Sequence, residues 1–237
     1  MKLTPEYKYV CKNVFINFFT PIAIVLGMPF AYMAMKRRHR FEVEGRENIR
    51  ALKKTSAVVV SNHVHDLDAL MLTRPFFPKT PYVIALKHNM EMFLLGPIVR
   101  LIRGIPLPDP TDRAGFSKFR DDVNELLRTT THKVTVFPEA SIEPYCRQLR
   151  NFRKGAFYFS VHNNKPLLPC VFVFPDEHRV KMLIAPAIYP KDLPGFGEVS
   201  EPKLIAELAN QTRHVMEGML DDYYARLDEQ RALTLAE

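Results

Sequence analysis

From residue 41 onward, short runs of β-branched and aliphatic residues alternate with longer segments of helical spacing. Such alternation is typical of an α/β domain, in which helices cover a sheet formed by the intervening strands. The runs predict strands at Phe41–Glu44, Ser56–Ser61, Tyr82–Leu86, Ile105–Leu107, Val134–Phe137, Leu167–Phe174 and Val180–Ala185. The segments between them predict helices at Asp68–Arg74, Met90–Ile102, Ala114–Thr129 and Phe152–His162.

A last helix is predicted from Ser200–Pro202 onward, where Ser, Glu and Pro form a helix-start signal. Its apolar residues Leu204, Leu208, Val215 and Met219 recur at helical spacing, so this face is expected to pack on the domain. The length of 237 residues suits one domain with a sizeable core, and no second soluble domain is expected.

The first forty residues carry most of the net positive charge. They hold seven Lys or Arg and one Glu, and so contribute +6 of the formal net charge of +7. The remainder is nearly neutral, which argues against a nucleic-acid-binding protein. The three cysteines form no Cys-x-x-Cys pair, which predicts reduced thiols rather than disulfides or a structural zinc site.

An uncharged stretch of 23 residues, 13–35, lies between Lys12 and the basic run Lys36–Arg40. It is long enough to reach into a bilayer, but Pro21 and Pro29 interrupt it, which predicts a bent or hairpin-like insertion. Positively charged residues flank the stretch on both sides, which predicts that both of its ends stay on the cytoplasmic face. A cleaved signal peptide fits less well because no Ala-x-Ala site closes the stretch. A pair of buried core helices is the alternative that the sequence leaves open.

The predicted second strand runs directly into a cluster of titratable side chains, His63, His65, Asp66 and Asp68. Functional sites of α/β proteins lie at such strand ends. Residues five apart in one helix point about 140° away from each other, so His63 and Asp68 can meet only across a turn. There the carboxylate would hold one imidazole nitrogen and leave the other as a general base.

Two other interpretations of this cluster remain open. In the first, Asp68 only caps the following helix and His63 is a core residue with satisfied hydrogen bonds. In the second, His63, His65, Asp66 and Asp68 bind a metal ion, as in a metallo-hydrolase.

Four segments in order resemble the glycerolipid acyltransferase family typified by lysophosphatidic acid acyltransferase. Asn62-His63-x4-Asp68 is similar to its Asn-His-x4-Asp signature, and Phe137-Pro138-Glu139-Ala140-Ser141 to its Phe-Pro-Glu-Gly-Thr block. Phe152-Arg153-Lys154-Gly155-Ala156-Phe157 and Pro166-Leu167-Leu168-Pro169 are similar to its Phe-Lys-x-Gly-Ala-Phe and Pro-Ile-Ile-Pro segments. The resemblance covers about residues 56–175.

The resemblance implies a mixed, largely parallel sheet flanked by helices, with a membrane-associated helical segment over residues 1–40 and a catalytic domain over 41–237. It implies transfer of a fatty acyl group from acyl-CoA or acyl carrier protein to a lysolipid hydroxyl, with 1-acylglycerol-3-phosphate as the first candidate acceptor. The partners would be membrane lipids and these substrates, and no metal or other cofactor is expected. The active site is expected on the cytoplasmic face of a membrane.

The resemblance also assigns roles to single residues. His63 is the expected general base and Asp68 orients it. Glu139, Arg153, Lys154 and Arg113 are the expected substrate-binding residues, with Arg150 as a neighbouring cation in sequence. For each of Arg113, Arg150 and Lys154, a solvated surface charge is the favoured alternative.

The chain departs from the family pattern at the positions where arginines are expected to bind an acceptor phosphate. Ile142 stands where the third block usually has Arg, and Pro110 ends a segment that also lacks its Arg. Ala140 replaces a Gly, and His65 stands where many members have Ser. Besides this acyltransferase, the sequence leaves open one for another lysolipid or a hydroxylated lipid, a metallo-hydrolase, and a basic membrane-docking module without catalysis.

Overall fold

The computed structural model of the chain describes residues 8–10, 21–22, 25–27, 29–30, 32–33, 40–91, 99 and 103–236. The strands are β1 (Arg40–Glu44), β2 (Ala57–Ser61), β3 (Tyr82–Leu86), β4 (Gly104–Leu107), β5 (Lys133–Val136), β6 (Leu167–Asp176) and β7 (Arg179–Ile184). The helices are α1 (Arg46–Ala51), α2 (Asp68–Thr73), α3 (Lys87–Glu91), α4 (Arg113–Thr129), α5 (Gly155–His162) and α6 (Glu201–Ala236). Two 3₁₀ turns lie at Arg74–Phe76 and Pro190–Asp192.

The strands form one sheet in the order β1-β7-β6-β2-β5-β3-β4. Strands β6, β2, β5, β3 and β4 run parallel to one another. Strand β7 is antiparallel to β6 and parallel to β1, so β7 and the edge strand β1 run opposite to the other five strands. The prediction of an α/β domain with a mixed, largely parallel sheet is therefore confirmed. The carboxyl ends of the five parallel strands share one edge of the sheet, where sites of α/β proteins form.

Strand β2 lies at the centre because its side chains are apolar on both faces, and all five of its residues are buried. Val58 and Val60 belong to a core cluster with residues of α4, α5 and α6. Ala57 and Val59 belong to a cluster on the other face with Met71 of α2 and residues of β6 and β7. A strand packed on both faces has little freedom to move, so the loop that leaves it starts from a rigid support.

The strand predictions agree closely with the structure, whereas the helix predictions agree less closely. The short helices α1 and α3 were not predicted. The predicted helix Met90–Ile102 falls mostly outside the described residues. On α6, Leu204 and Leu208 are buried as predicted, whereas Val215 and Met219 are only partly buried.

Within the predicted membrane segment, all described residues between 21 and 33 are helical. Among the helices that the structure describes, none combines the length and the apolar character that crossing a bilayer requires.

Candidate active site

The loop between β2 and α2 brings His63 and Asp68 together across a turn, as predicted from their spacing. Oδ2 of Asp68 lies 3.1 Å from Nδ1 of His63. The same oxygen accepts hydrogen bonds from the backbone N–H groups of Val64 at 2.6 Å and His65 at 2.9 Å. Asp68 thus binds the loop that precedes its helix, and the helix start has no side-chain cap. The helix-cap interpretation of Asp68 is therefore wrong.

The surroundings of this pair fix its electrostatics. Asp68 is fully buried, and burial raises the pKa of its carboxyl above the usual value, opposed by the hydrogen bonds from His63 and the two backbone N–H groups. Because the carboxylate accepts at Nδ1, that nitrogen carries the proton and Nε2 keeps its lone pair. Nε2 makes no hydrogen bond to a described residue, and the His63 side chain is 20% exposed. Nε2 is therefore left as a possible hydrogen-bond acceptor on a partly exposed side chain.

Phe137 and Asn62 restrict the position of the histidine further. The imidazole of His63 stacks on the ring of Phe137, with centroids 4.2 Å apart and planes 19° from parallel. The Asn62 side chain accepts from the backbone N–H of Phe172 at 2.7 Å and donates to its carbonyl at 3.0 Å. This amide pairs with β6 as a backbone peptide would, and so ties the start of the loop to the neighbouring strand.

Glu139, which follows β5, forms a buried ion pair with Arg150. Arg150 donates from Nε and Nη2 to Oε2 of Glu139 at 3.0 and 2.6 Å, and the Glu139 side chain is 1% exposed. Arg150 also donates to Oγ of Ser141 at 2.6 Å, to the carbonyl of Ser141, and to the carbonyl of His63 at 3.5 Å. The interpretation of Arg150 as a solvated surface charge is wrong, because its side chain joins the Glu139 loop to the His63 loop.

The chain between Glu139 and Arg150 passes alongside the His63 loop. The N–H groups of Glu143 and Tyr145 each donate at 3.0 Å, to the carbonyls of His63 and Val64 respectively. His65 stacks on Phe174 with centroids 5.8 Å apart, and its Nδ1 accepts from the N–H of Leu67 at 3.0 Å. His65 is therefore packed into the protein and supports the shape of the loop.

The other predicted substrate-binding residues lie at different distances from the pair. Arg153 is exposed just before α5, and its backbone N–H donates to the carbonyl of Pro138 at 2.8 Å, beside Glu139. Lys154 is exposed next to it. Arg113 is exposed at the start of α4, which follows β4, so two strands separate it from β2. At about 4.8 Å per strand, β4 lies about 14 Å from β2 along the edge, and the role of Arg113 in substrate binding stays a prediction.

The geometry gives no support to the metal interpretation. Across the described ranges, no three His, Cys, Asp or Glu side chains stand where they could hold one metal ion. Asp66 is exposed, and Nδ1 of His65 is occupied by a backbone N–H.

More than half of this chain is similar in sequence to known proteins. A family model described as Acyltransferase matches residues 40–173. An uncharacterized acyltransferase of Schizosaccharomyces pombe is 30% identical over 134 residues, which are 55% of this chain and 46% of that protein. The 1-acyl-sn-glycerol-3-phosphate acyltransferase beta of Homo sapiens is 29% identical over 135 residues, which are 56% of this chain and 46% of that protein.

One solved structure shares the fold over nearly the whole chain. The crystal structure of the 1-acyl-sn-glycerophosphate (LPA) acyltransferase PlsC from Thermotoga maritima superposes with a TM-score of 0.59 over 90% of both chains, at 19% sequence identity. The alignments with the two curated relatives span less than half the length of each.

Proposed function

This chain belongs to the acyltransferase family, and we propose that it transfers a fatty acyl group from acyl-CoA or acyl carrier protein to a lysolipid hydroxyl. The observation that carries the proposal is the His63–Asp68 pair, whose geometry leaves Nε2 of His63 free at the carboxyl edge of the sheet. The first candidate acceptor is 1-acylglycerol-3-phosphate, as the name of the human relative suggests. An acyltransferase for another lysolipid is the second candidate.

The proposed chemistry needs no covalent intermediate on the protein, because a thioester is already activated. Nε2 of His63 takes the proton as the acceptor hydroxyl oxygen attacks the thioester carbonyl carbon. The carbon–sulfur bond then breaks, and the leaving thiolate receives the proton from the imidazolium. The Asp68 carboxylate stabilises that imidazolium and keeps its ring oriented.

The acceptor headgroup is assigned from the cations near the pair. Arg153 and Lys154 are exposed beside the Glu139 loop and are available to an anionic headgroup. Arg150 supplies a guanidinium next to Ser141, although Ile142 leaves the position after that serine apolar. These charges favour a phosphate-bearing acceptor over a neutral one.

A direct assay tests the proposal. The purified full chain would be incubated with labelled acyl-CoA or labelled acyl carrier protein and a panel of lysolipids that differ in headgroup. We expect label to appear in phosphatidic acid when 1-acylglycerol-3-phosphate is the acceptor. Transfer to another lysolipid alone would reassign the acceptor, and the absence of transfer to any of them would refute the acyltransferase activity.

Arg153→Ala is expected to raise KM for 1-acylglycerol-3-phosphate about tenfold while changing the donor KM little. A hydrogen bond between an arginine and a phosphate contributes about 1.5–3 kcal/mol, which corresponds to roughly tenfold or more. Arg50→Ala, which removes an exposed arginine from α1, is the matched control. A larger effect on the donor KM would mean that Arg153 binds the thioester substrate instead.

We also propose that residues 1–40 attach the catalytic domain of residues 41–237 to the cytoplasmic face of a membrane. A stripe of exposed apolar side chains at helical spacing supports this: Ile22, Val25, Leu26, Phe30 and Met33 are 44, 44, 65, 70 and 51% exposed. Tyr32, on the same segment, packs against Val83 together with Phe137, the residue on which His63 stacks. Tyr32 therefore anchors this segment to the domain next to the ring on which His63 stacks.

Replacing both Leu26 and Phe30 by Gln is expected to weaken binding to vesicles at least tenfold. Both side chains are more than half exposed, and burying a large apolar side chain contributes about 1.5–3 kcal/mol. Co-sedimentation with vesicles of phosphatidylglycerol and phosphatidylcholine measures the change. Leu235→Gln is the control, because Leu235 is 88% exposed at the far end of α6. Equal co-sedimentation of the double variant and the control would place the anchor elsewhere.

A further inference from the structure

A cavity of about 760 Å³ lies at the edge of the sheet opposite the His63–Asp68 pair. Its lining includes Tyr82, the first residue of β3, with Arg103 and His132, which directly precede β4 and β5. These strands run parallel to β2, so their amino ends face away from the edge that carries His63. A strand of five residues is about 17 Å long, so the cavity is a separate place on the molecule.

Arg103 is the central cation of this cavity. Its Nη1 lies 3.0 Å from Nδ1 of His132, and its guanidinium carbon lies 5.4 Å from the centre of the Tyr82 ring. Its Nε is buried and has no hydrogen-bond partner among the residues that the structure describes. Within the same residues, no carboxylate forms an ion pair with Arg103, and burial lowers its pKa. A guanidinium that is largely removed from water in this way binds a counter-ion favourably.

Two lysines add positive charge around the same histidine. Lys79 donates from Nζ to Oγ1 of Thr131. Lys133 donates from Nζ to the backbone carbonyls of Leu52 and Thr55 at 2.7 and 2.9 Å. Burial lowers the pKa of His132 to about 4, with further contributions from the charges of Arg103, Lys79 and Lys133. The positive charges of these three side chains therefore all disfavour protonation of the imidazole.

The remaining walls combine acidic, hydroxyl and apolar groups. Asp122 and Glu125 line the cavity from α4. Asp122 already accepts from the N–H of Tyr9 at 2.9 Å and lies 3.8 Å from Nζ of Lys118. The other lining residues include Thr129 and Thr130 with their hydroxyls, and the apolar Val10, Pro21, Val25, Leu126 and Pro78. These walls therefore offer both charged and apolar contacts to a ligand.

We propose that this cavity binds a phosphate group, with Arg103 and Lys79 as its cationic contacts. The fork of N–H groups on Arg103 suits phosphate oxygens, and Nε is the donor left over for them. The phosphate belongs either to an anionic phospholipid, whose acyl chains would lie on the apolar wall, or to inorganic phosphate. The binding does not depend on the proposed acyl transfer, because no residue of the His63–Asp68 pair takes part.

Histidine NMR of the full-length protein tests this site separately from the active site. Inorganic phosphate and, in a second titration, short-chain phosphatidylglycerol below its micelle concentration would be added while the His132 and His63 resonances are followed. We expect a saturable shift of the His132 resonance and a rise in its apparent pKa, because the anion offsets the neighbouring positive charges. Tighter binding of phosphatidylglycerol than of phosphate would identify a lipid as the source, and equal binding would identify free phosphate.

Charge-removing variants decide whether the named cations form the site. Arg103→Gln and Lys79→Gln are each expected to weaken binding about tenfold, whereas Arg120→Gln, on an exposed part of α4, leaves it unchanged. Lys79 is exposed, so Lys79→Gln is expected to leave the fold intact. It therefore tests the site even where Arg103→Gln lowers the melting temperature. The proposal would be overturned if the His132 resonance did not shift with either ligand. It would also be overturned if the shift persisted unchanged in folded Arg103→Gln and Lys79→Gln proteins.

Discussion

We expect His63→Ala to lower the acyl-transfer rate by about 10²–10⁴-fold, the usual cost of removing a positioned general base. The fold should survive, because the His63 side chain is partly exposed and contributes one ring stack and one hydrogen bond. The loss should appear in kcat at saturating acceptor, since the imidazole acts on the proton rather than on the headgroup. Steady-state kinetics with labelled donor, together with a thermal melt of each variant, measure both effects.

Asp68→Asn tests the contribution of the Asp68 carboxylate while the imidazole of His63 stays in place. The amide oxygen of Asn can still accept from the N–H groups of Val64 and His65, but it carries no charge to stabilise an imidazolium. We expect an activity loss close to that of His63→Ala with a smaller loss of stability than Asp68→Ala causes. His178→Ala, which removes an exposed histidine, is the control for histidine replacement itself. Folded His63→Ala protein that keeps wild-type activity would refute the general-base role.

The sheet and the His63–Asp68 pair could be predicted because both depend on local patterns. A run such as Val58–Val60 is apolar on both strand faces, and only a central strand buries both. Residues five apart meet only where the chain turns, and the loop between β2 and α2 provides that turn. Such inferences require no knowledge of which distant segments come together.

The Glu139–Arg150 pair could not be predicted because it depends on the path of a loop. The chain must leave β5, run alongside the His63 loop through the bonds of Glu143 and Tyr145, and return eleven residues later. That path uses left-handed backbone at Ala140 and Tyr145, with φ of 61° and 58°. The family pattern has Gly at the first of these positions, which fits a conformation that Gly adopts without strain.

Arg150→Met is expected to destabilise the protein by about 3–5 kcal/mol, because it leaves the buried Glu139 carboxylate without its partner. For a domain of this size such a loss corresponds to a fall in Tm of about 10 °C. Denaturant unfolding gives the free energy directly. Arg147→Met is the matched control, since the Arg147–Asp228 pair is exposed on both sides and contributes about 0–1 kcal/mol. Equal losses for the two arginine variants would mean that burial does not strengthen the Glu139 pair.

The double variant Glu139→Gln/Arg150→Met separates stability from catalysis. Because the neutral amide is less costly to bury than an unpaired carboxylate, the double variant should recover about 2 kcal/mol of the loss in Arg150→Met. Activity should not recover with it, because the link from Arg150 to the carbonyl of His63 and the cation beside Ser141 remain absent. Recovery of both stability and activity would mean that the Glu139–Arg150 pair contributes only to stability. Recovery of stability alone would show that the two side chains contribute to activity beyond their ion pair, through the His63 loop or through the acceptor.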